Sequence, residues 1–131
     1  MRRKHFSSLF LLVMLLRRLS YGEAGLAVEP NIEMKTRDGI ILKAHIYRPA
    51  GDGSFPVLLE RTPYNKEGAA EVARSAMSRG FMVVVQDVRG RYTAGGERYP
   101  FKHEINDGYD AVEWAAALPH SNGKVGMSGA S

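Results

Sequence analysis

The sequence of 131 residues contains no cysteine. That absence excludes a disulfide framework, a thiolate metal site and a cysteine nucleophile. Metal-ligand spacing, internal repeats and low-complexity tracts are also missing, so we expect no metal, no cofactor and no solenoid. With 44% hydrophobic and 24% charged residues, the composition is that of a globular protein.

Beyond its first 27 residues the chain also lacks a net charge. The whole chain carries +4 at neutral pH, but five of its 18 basic residues lie within the first 20 positions. Glu23 is the first acid, so the residues after Ala27 hold 13 basic and 13 acidic side chains. This balance does not favour binding to a phosphate backbone, and we expect no nucleic-acid partner.

The first 27 residues have the three-part pattern of a secretory signal. The basic start "MRRKH" precedes an apolar run from Phe6 to Leu16, and small residues follow in "GEAGLA". A run of 11 residues is too short to cross a bilayer, which needs about 20. We therefore expect a signal peptide over residues 1–27 and a secreted or periplasmic protein without a stable membrane span. Arg17 and Arg18 interrupt the pattern, so a mis-assigned start codon or an amphipathic extension stays open.

The remaining residues, 28–131, predict a hairpin followed by alternating strands and helices. Two alternating runs flank Arg37-Asp38-Gly39, a strong hairpin signal. Buried strands are expected in "FPVLLE", "FMVVVQD" and "KVGM", the last in the sheet interior. Between them the pattern predicts one helix over residues 65–80, with an apolar face of Ala69, Val72, Ala73, Ala76 and Met77, and a second one capped by Asn106. This order indicates an α/β fold with a mainly parallel sheet.

The final residues, "SNGKVGMSGAS", have the form of a nucleophile elbow. An elbow is written G-x-S-x-G and lies on a strained turn between a strand and a helix, where small residues are needed. Gly129, Ala130 and Ser131 supply its first three positions after a predicted strand. Ser128 is the competing serine, but Ala130 stands where its second glycine should be. An ordinary Gly-Ser turn is the remaining alternative.

Four blocks of the sequence together resemble the CocE/NonD hydrolases. They are "LLERTPYNK", "QDVRGRYTAGGE", "NDGYDAVEWAA" and "SNGKVGMSGAS", and they extend from about Asn31 to Ser131. The family includes X-Pro dipeptidyl-peptidases, cocaine esterase, α-amino-acid ester hydrolases and glutaryl-acylases. The resemblance implies the N-terminal part of an α/β-hydrolase fold, with Ser131 as the acylated nucleophile. It also implies that the Tyr64 hydroxyl donates to the substrate oxyanion; a rim aromatic is the alternative interpretation of Tyr64.

Other polar residues have simpler interpretations. The acid and base of this fold follow the serine in chain order, which argues against Asp87 as the catalytic acid. We predict that Asp87 instead forms a loop-fixing ion pair with Arg89 or Arg91. The same order excludes the four histidines from the catalytic triad: His5, His45, His103 and His120. The glycines of "RGRYTAGGE" lack the Gly-Lys-Ser/Thr ending of a phosphate loop, and Trp114 is expected to be a packing residue.

The resemblance leads to an expectation about the whole chain. A serine nucleophile needs a histidine base and an acid, and in this fold both follow the serine, so we expect a truncated serine hydrolase that is inactive alone. We also expect it to be poorly stable alone, because an apolar edge is exposed where the next strand should pair. Its parent would cleave an ester or amide of a small molecule or peptide. Peptides, esters and β-lactam side-chain amides stay open as substrates, as does the oligomeric state. The alternative is a short exported binding domain on a hydrolase-like scaffold.

Overall fold

The described part of the chain has the predicted order of elements. A computed structural model describes residues 25–129, and the predicted signal segment up to residue 24, Ala130 and Ser131 lie outside them. The strands are β1 (Leu26–Lys35), β2 (Ile41–Pro49), β3 (Phe55–Thr62), β4 (Met82–Asp87) and β5 (Ser121–Ser128). The helices are a 3₁₀ turn (Lys66–Ala69), α1 (Ala70–Met77) and α2 (Glu104–Ala116).

The five strands form one mixed sheet in the order β1-β2-β4-β3-β5. The hairpin strand β1 pairs antiparallel with β2, and β2 pairs antiparallel with β4. Strand β3 lies between β4 and β5 and is parallel to both. Helices α1 and α2 connect these parallel strands in chain order. The predicted fold class, a hairpin leading into alternating strands and helices, is confirmed.

The hairpin turns at the predicted Asp-Gly pair. Gly39 has a φ of 87°, in the left-handed region that glycine enters without steric cost. Strand β1 nevertheless begins at Leu26, earlier than the sequence predicts. It continues through Pro30 because β1 is an edge strand, where a residue without an N–H is tolerated, and its register shifts between Glu29 and Ile32. Leu26 and Ala27, the end of the predicted signal segment, therefore lie within this strand.

The sheet has an apolar core on each face. The α2 side buries ten residues: Met34, Leu42, Ala44, Ile46, Val57, Leu59, Met82, Val84, Ala111 and Ala115. The α1 side buries a smaller group: Tyr47, Ala73, Met77, Val83 and Val85. Trp114 is partly buried against the α2-side core, so its predicted packing role is confirmed. Two covered faces explain why β4 is buried throughout its length.

Three local predictions about these elements were wrong. Val72 is 64% exposed because it lies about 120° around α1 from the midpoint of the buried pair Ala73 and Met77. Asn106 does not cap α2, since the Asp107 amide already donates to His103 O and the helix begins at Glu104.

The third wrong prediction concerns the segment "KVGM". Strand β5, which contains it, is mostly exposed, and Met127 is 56% accessible. Within residues 25–129 this strand pairs on one side only, with β3, and so lies at the edge of the sheet.

Substitution of Gly90 tests how tightly the loop after β4 is packed. It has a φ of 73°, and a Cβ built there would lie 2.0 Å from the Arg98 amide nitrogen. Gly80, with a φ of 91°, has nothing within 4 Å of the same position. We expect Gly80→Ala to lower the free energy of unfolding by about 1–2 kcal/mol, the cost of left-handed backbone. Gly90→Ala should lower it by roughly 3 kcal/mol or more, because backbone must also move.

Urea unfolding of the two glycine variants would measure the difference. Equal losses of stability in Gly80→Ala and Gly90→Ala would contradict the close approach between Gly90 and Arg98.

Candidate active site

The carboxyl ends of β3, β4 and β5 meet at one edge of the sheet. Their parallel register places Thr62 opposite Asp87 and Glu60 opposite Ser128. The chain therefore leaves this edge at three neighbouring points, toward Tyr64, toward Arg89 and toward Gly129. The carboxyl edge of such a sheet is where ligands bind in open α/β proteins.

Tyr64 lies on a short segment, residues 62–66, which we call the Tyr64 segment. The Tyr64 amide donates to Thr62 Oγ1 over 3.0 Å, and the residue is 64% exposed. Arg91 Nε donates to the carbonyl of Pro63 over 3.2 Å. Asn65 has a φ of 85° and accepts a hydrogen bond from the Glu67 amide through its side chain. The exposed phenol is thus carried by a backbone that is hydrogen-bonded along its length.

Asp87 forms a different ion pair from the one predicted. Its partner is Lys66, whose Nζ lies 3.1 Å from Asp87 Oδ2, and both side chains are fully buried. The Lys66 amide also donates to Asp87 Oδ1 over 2.9 Å. The Thr93 hydroxyl donates to Asp87 Oδ2 and accepts from Lys66 Nζ, both over 2.8 Å. We call Lys66, Asp87 and Thr93 the Asp87 cluster.

The Asp87 cluster keeps its carboxylate ionised. Burial alone raises the pKa of Asp87, but the hydrogen bonds from the Lys66 amide, the Thr93 hydroxyl and Lys66 Nζ lower it by more. The pKa of Asp87 is therefore below its ordinary value. Removing one partner from such a buried pair typically costs about 3–5 kcal/mol, because the other charge is left uncompensated.

Arg89 binds two other carboxylates. Its Nε and Nη2 donate to Asp107, at 2.9 and 2.7 Å, and its Nη1 and Nη2 donate to Asp38, at 2.7 and 2.8 Å. We call these three residues the Arg89 cluster. The bonds from Arg89 and from Thr36 hold the pKa of Asp38 well below its usual range, and those to Asp38 and Asp107 raise the pKa of Arg89. The cluster joins the hairpin turn to the start of α2.

Arg61 connects the end of β3 to the same helix. Its Nε donates to Gln86 over 3.0 Å and its Nη1 to Glu104 over 2.6 Å. The buried Nη2 makes no hydrogen bond with residues 25–129. The guanidinium lies beside Gly108, where a Cβ would be 3.5 Å from Nη1, an ordinary van der Waals distance. Arg61 thus anchors β3 immediately before the Tyr64 segment.

The described histidines make structural hydrogen bonds. His45 Nδ1 accepts from the Asn31 amide over 3.1 Å, so its Nε2 carries the proton and donates to Glu67 Oε1 over 2.6 Å. His120 Nδ1 donates to the Gly53 carbonyl, and the carbonyl of His103, the residue before α2, accepts from the Asp107 amide. His45 lies on β2 and His120 directly precedes β5, whereas His103 is the last residue of the loop between β4 and α2. His5 lies outside the described residues.

The predicted elbow is described only in part. Ser128 is the last residue of β5, exposed and in register with Glu60, and Gly129 follows it at the carboxyl edge. The choice between Ser131 and Ser128 as nucleophile is therefore still a prediction.

Lys66 and Thr93 belong to the site region although the sequence does not predict either of them there. Lys66 looked like the first turn of an amphipathic helix, and Thr93 like part of a glycine-rich loop. Both residues lie in blocks that resemble the CocE/NonD hydrolases, "LLERTPYNK" and "QDVRGRYTAGGE", but their contacts with Asp87 follow from the order of the strands. In the described part of the chain, no group of three His, Asp or Glu residues is arranged to hold a metal. No helix there has the length and apolar character needed to cross a membrane.

Comparison with known proteins decides the family. The profile of the X-Pro dipeptidyl-peptidase (S15) family matches residues 38–131, which is more than half of the chain. The chain belongs to this family. It is 34% identical over 111 residues to the cocaine esterase of Rhodococcus sp. (strain MB1 Bresler), a match that covers 80% of this chain and 19% of the esterase.

Solved structures agree with the S15 assignment. A CocE/NonD family hydrolase from Staphylococcus aureus superposes with a TM-score of 0.69 at 26% identity, over 79% of this chain and 23% of that one. An α-amino-acid ester hydrolase gives 0.70 at 26% identity, over 82% and 21%. The resemblance to CocE/NonD hydrolases is confirmed. The S15 chain spans about a fifth of the length of these relatives.

Acid should destabilise the protein through its depressed carboxyl groups. Asp38 and Asp87 have folded-state pKa values below normal, and so does Asp110, through hydrogen bonds from the Arg37 side chain and amide. An unfolded aspartate titrates near about 3.9. The stability that they contribute is therefore complete above about pH 5 and is lost as the pH falls from there toward the folded pKa values. Urea unfolding between pH 7 and pH 3 should show this loss, and Asp38→Asn should make it shallower. Parallel curves for the two proteins would contradict the depressed pKa of Asp38.

Proposed function

We propose that the protein is a serine hydrolase that cleaves an ester or amide through an acyl-enzyme on Ser131. One observation carries the proposal: the segment after β5 that leads to Gly129-Ala130-Ser131 leaves the sheet at the same edge as the Tyr64 segment. Family membership supports the hydrolase class. The exposed phenol of Tyr64 beside this edge supports an oxyanion donor, a role that such a hydroxyl can fill as well as a backbone N–H.

The reaction would proceed in two stages, acylation of the serine and hydrolysis of the acyl-enzyme. Ser131 Oγ forms a bond to the substrate carbonyl carbon while a base takes its proton, and the oxyanion accepts a hydrogen bond from Tyr64. The intermediate then expels the alcohol or amine, which receives that proton, and leaves an ester on Ser131. Water hydrolyses the ester and restores the serine. In this fold the base and its orienting acid follow the serine in the chain, so residues 1–131 alone would be inactive.

The names of the relatives limit the substrate to a class. One relative is a cocaine esterase, another is an α-amino-acid ester hydrolase, and the family is that of X-Pro dipeptidyl-peptidases. For this protein we propose an acyl or peptidyl ester or amide. From the basic and apolar pattern of residues 1–27 we further propose that the protein is exported.

Labelling with a fluorophosphonate tests the nucleophile. In protein expressed from the whole reading frame that encodes these residues, we expect the probe to modify Ser131, as mapped by mass spectrometry of peptides. Ser131→Ala should abolish the labelling, and Ser128→Ala, the matched control, should retain it. Labelling at Ser128, or a folded protein that takes no label, would overturn the assignment.

Removal of one phenol hydroxyl tests the oxyanion donor. We expect Tyr64→Phe to lower kcat about 10²–10³-fold with a smaller change in KM, because the lost hydrogen bond strengthens mainly in the transition state. Tyr99→Phe changes another exposed tyrosine, in the loop between β4 and α2, and should leave kcat within about twofold. Equal rates for wild type and Tyr64→Phe would remove Tyr64 from the mechanism.

A further inference from the structure

We propose that the Asp87 cluster positions Tyr64 for catalysis, with the Asp87 carboxylate as the positioning residue and Lys66 and Thr93 as its supports. This inference rests on the proposed function, since it assigns the cluster a part in placing the oxyanion donor. Asp87 acts through the backbone that carries Tyr64 and touches no reacting atom.

The Tyr64 segment is attached to the end of β4 on both sides of the tyrosine. Before it, Thr62 pairs with Asp87 in the parallel register, and its carbonyl accepts from the Val88 amide over 3.1 Å. After it, the Lys66 amide donates to Asp87 Oδ1 over 2.9 Å. These backbone attachments set the position of the Tyr64 Cα and the direction of its Cα–Cβ bond, from which the phenol extends.

A carboxylate is the group that fits these attachments. Oδ1 accepts the Lys66 amide, while Oδ2 accepts Lys66 Nζ and the Thr93 hydroxyl. An asparagine would present one oxygen and one NH₂ group, and the NH₂ group would face another donor in either orientation. Stability alone does not call for an ion pair here, because apolar residues often replace buried pairs at no cost. A group with two acceptor oxygens is needed to bind the Lys66 amide and the Lys66 ammonium at the same time.

The backbone next to Tyr64 depends on the same attachment. Asn65 has a φ of 85°, a conformation that a residue other than glycine keeps only when its surroundings enforce it. Two hydrogen bonds restrain this residue. One joins the Lys66 amide to Asp87, and the other joins the Glu67 amide to Asn65 Oδ1. Weakening the first bond should let Asn65 leave the left-handed region, and Tyr64 would turn with it.

The test uses variants of graded severity in protein expressed from the whole reading frame. Thr93→Val removes the hydroxyl bonds to Asp87 and Lys66 with little change in volume, and Thr93→Ser keeps a hydroxyl as the conservative rescue. Asp87→Asn is the severe variant. Asp107→Asn is the matched control, because it removes an equally buried, ion-paired carboxylate from the Arg89 cluster, which does not bind the Tyr64 segment. All assays are run below the melting temperature of the least stable variant.

We expect Thr93→Val to lower kcat about 3–10-fold and Asp87→Asn about 10–100-fold, with KM within about threefold, whereas Thr93→Ser stays near wild type. In a Tyr64→Phe background, the same Thr93→Val and Asp87→Asn changes should cost less than about twofold, because no donor remains to be misplaced. Asp107→Asn should have the same effect in both backgrounds. Equal losses from Asp87→Asn in both backgrounds would overturn the positioning role while leaving Tyr64 as the oxyanion donor.

A spectroscopic measurement separates this inference from the proposed function. With ¹³C-labelled tyrosine, the ring signals of Tyr64 are identified by their absence in Tyr64→Phe. We expect Thr93→Val to shift or broaden these signals, and Asp107→Asn to leave them unchanged. Unchanged Tyr64 signals in both Thr93→Val and Asp87→Asn would overturn the positioning. If they move although Tyr64→Phe leaves kcat unaltered, the positioning stands and the oxyanion role of Tyr64 falls.

Discussion

The buried carboxylate of Asp87 is the group on which the arrangement of the sheet edge depends. It ends β4 and binds the Lys66 amide, the Lys66 ammonium and the Thr93 hydroxyl. Three separate parts of the chain, the segment after β3, the end of β4 and the loop before α2, therefore meet at one charge. In a site from which water is excluded, such hydrogen bonds are stronger than in solvent and tolerate little displacement.

Arg89, two residues after Asp87 in the chain, connects the hairpin turn to α2. It contacts the hairpin turn through Asp38 and the first turn of α2 through Asp107. Asp87 and Asp107 are thus both buried and already bound to cations, which makes them unsuitable as proton acceptors for a substrate. This is consistent with the chain order of α/β-hydrolases, in which the catalytic acid follows the serine. The two clusters hold the segments of the sheet edge while leaving the phenol of Tyr64 exposed.

Much of the fold could be predicted because its signals are local. The Asp-Gly turn, the β-branched run before Asp87 and the alternation of strands with helices each concern contiguous residues. Their backbone states follow from propensity and periodicity. The predicted elbow serine comes from a short pattern at the end of a strand, whereas the role of Tyr64 is implied by the resemblance to the CocE/NonD hydrolases. The prediction for Val72 was wrong because a helical period does not specify which side of the helix the sheet covers. The prediction for Asn106 was wrong because the same period does not specify in which turn the helix begins.

The partners of the buried charges were decided by the tertiary structure alone. Asp87 and Arg89 are two residues apart in the sequence, and proximity favoured a pair between them. Their side chains instead meet residues that the strand order brings in from elsewhere: Lys66 for Asp87, and Asp38 and Asp107 for Arg89. The exposure of β5 has the same origin, because a strand is buried by its neighbours and not by its own composition. The sequence by itself determined the strands, the turns and the motifs, whereas the pairing of charges across the sheet required the register of β3 against β4.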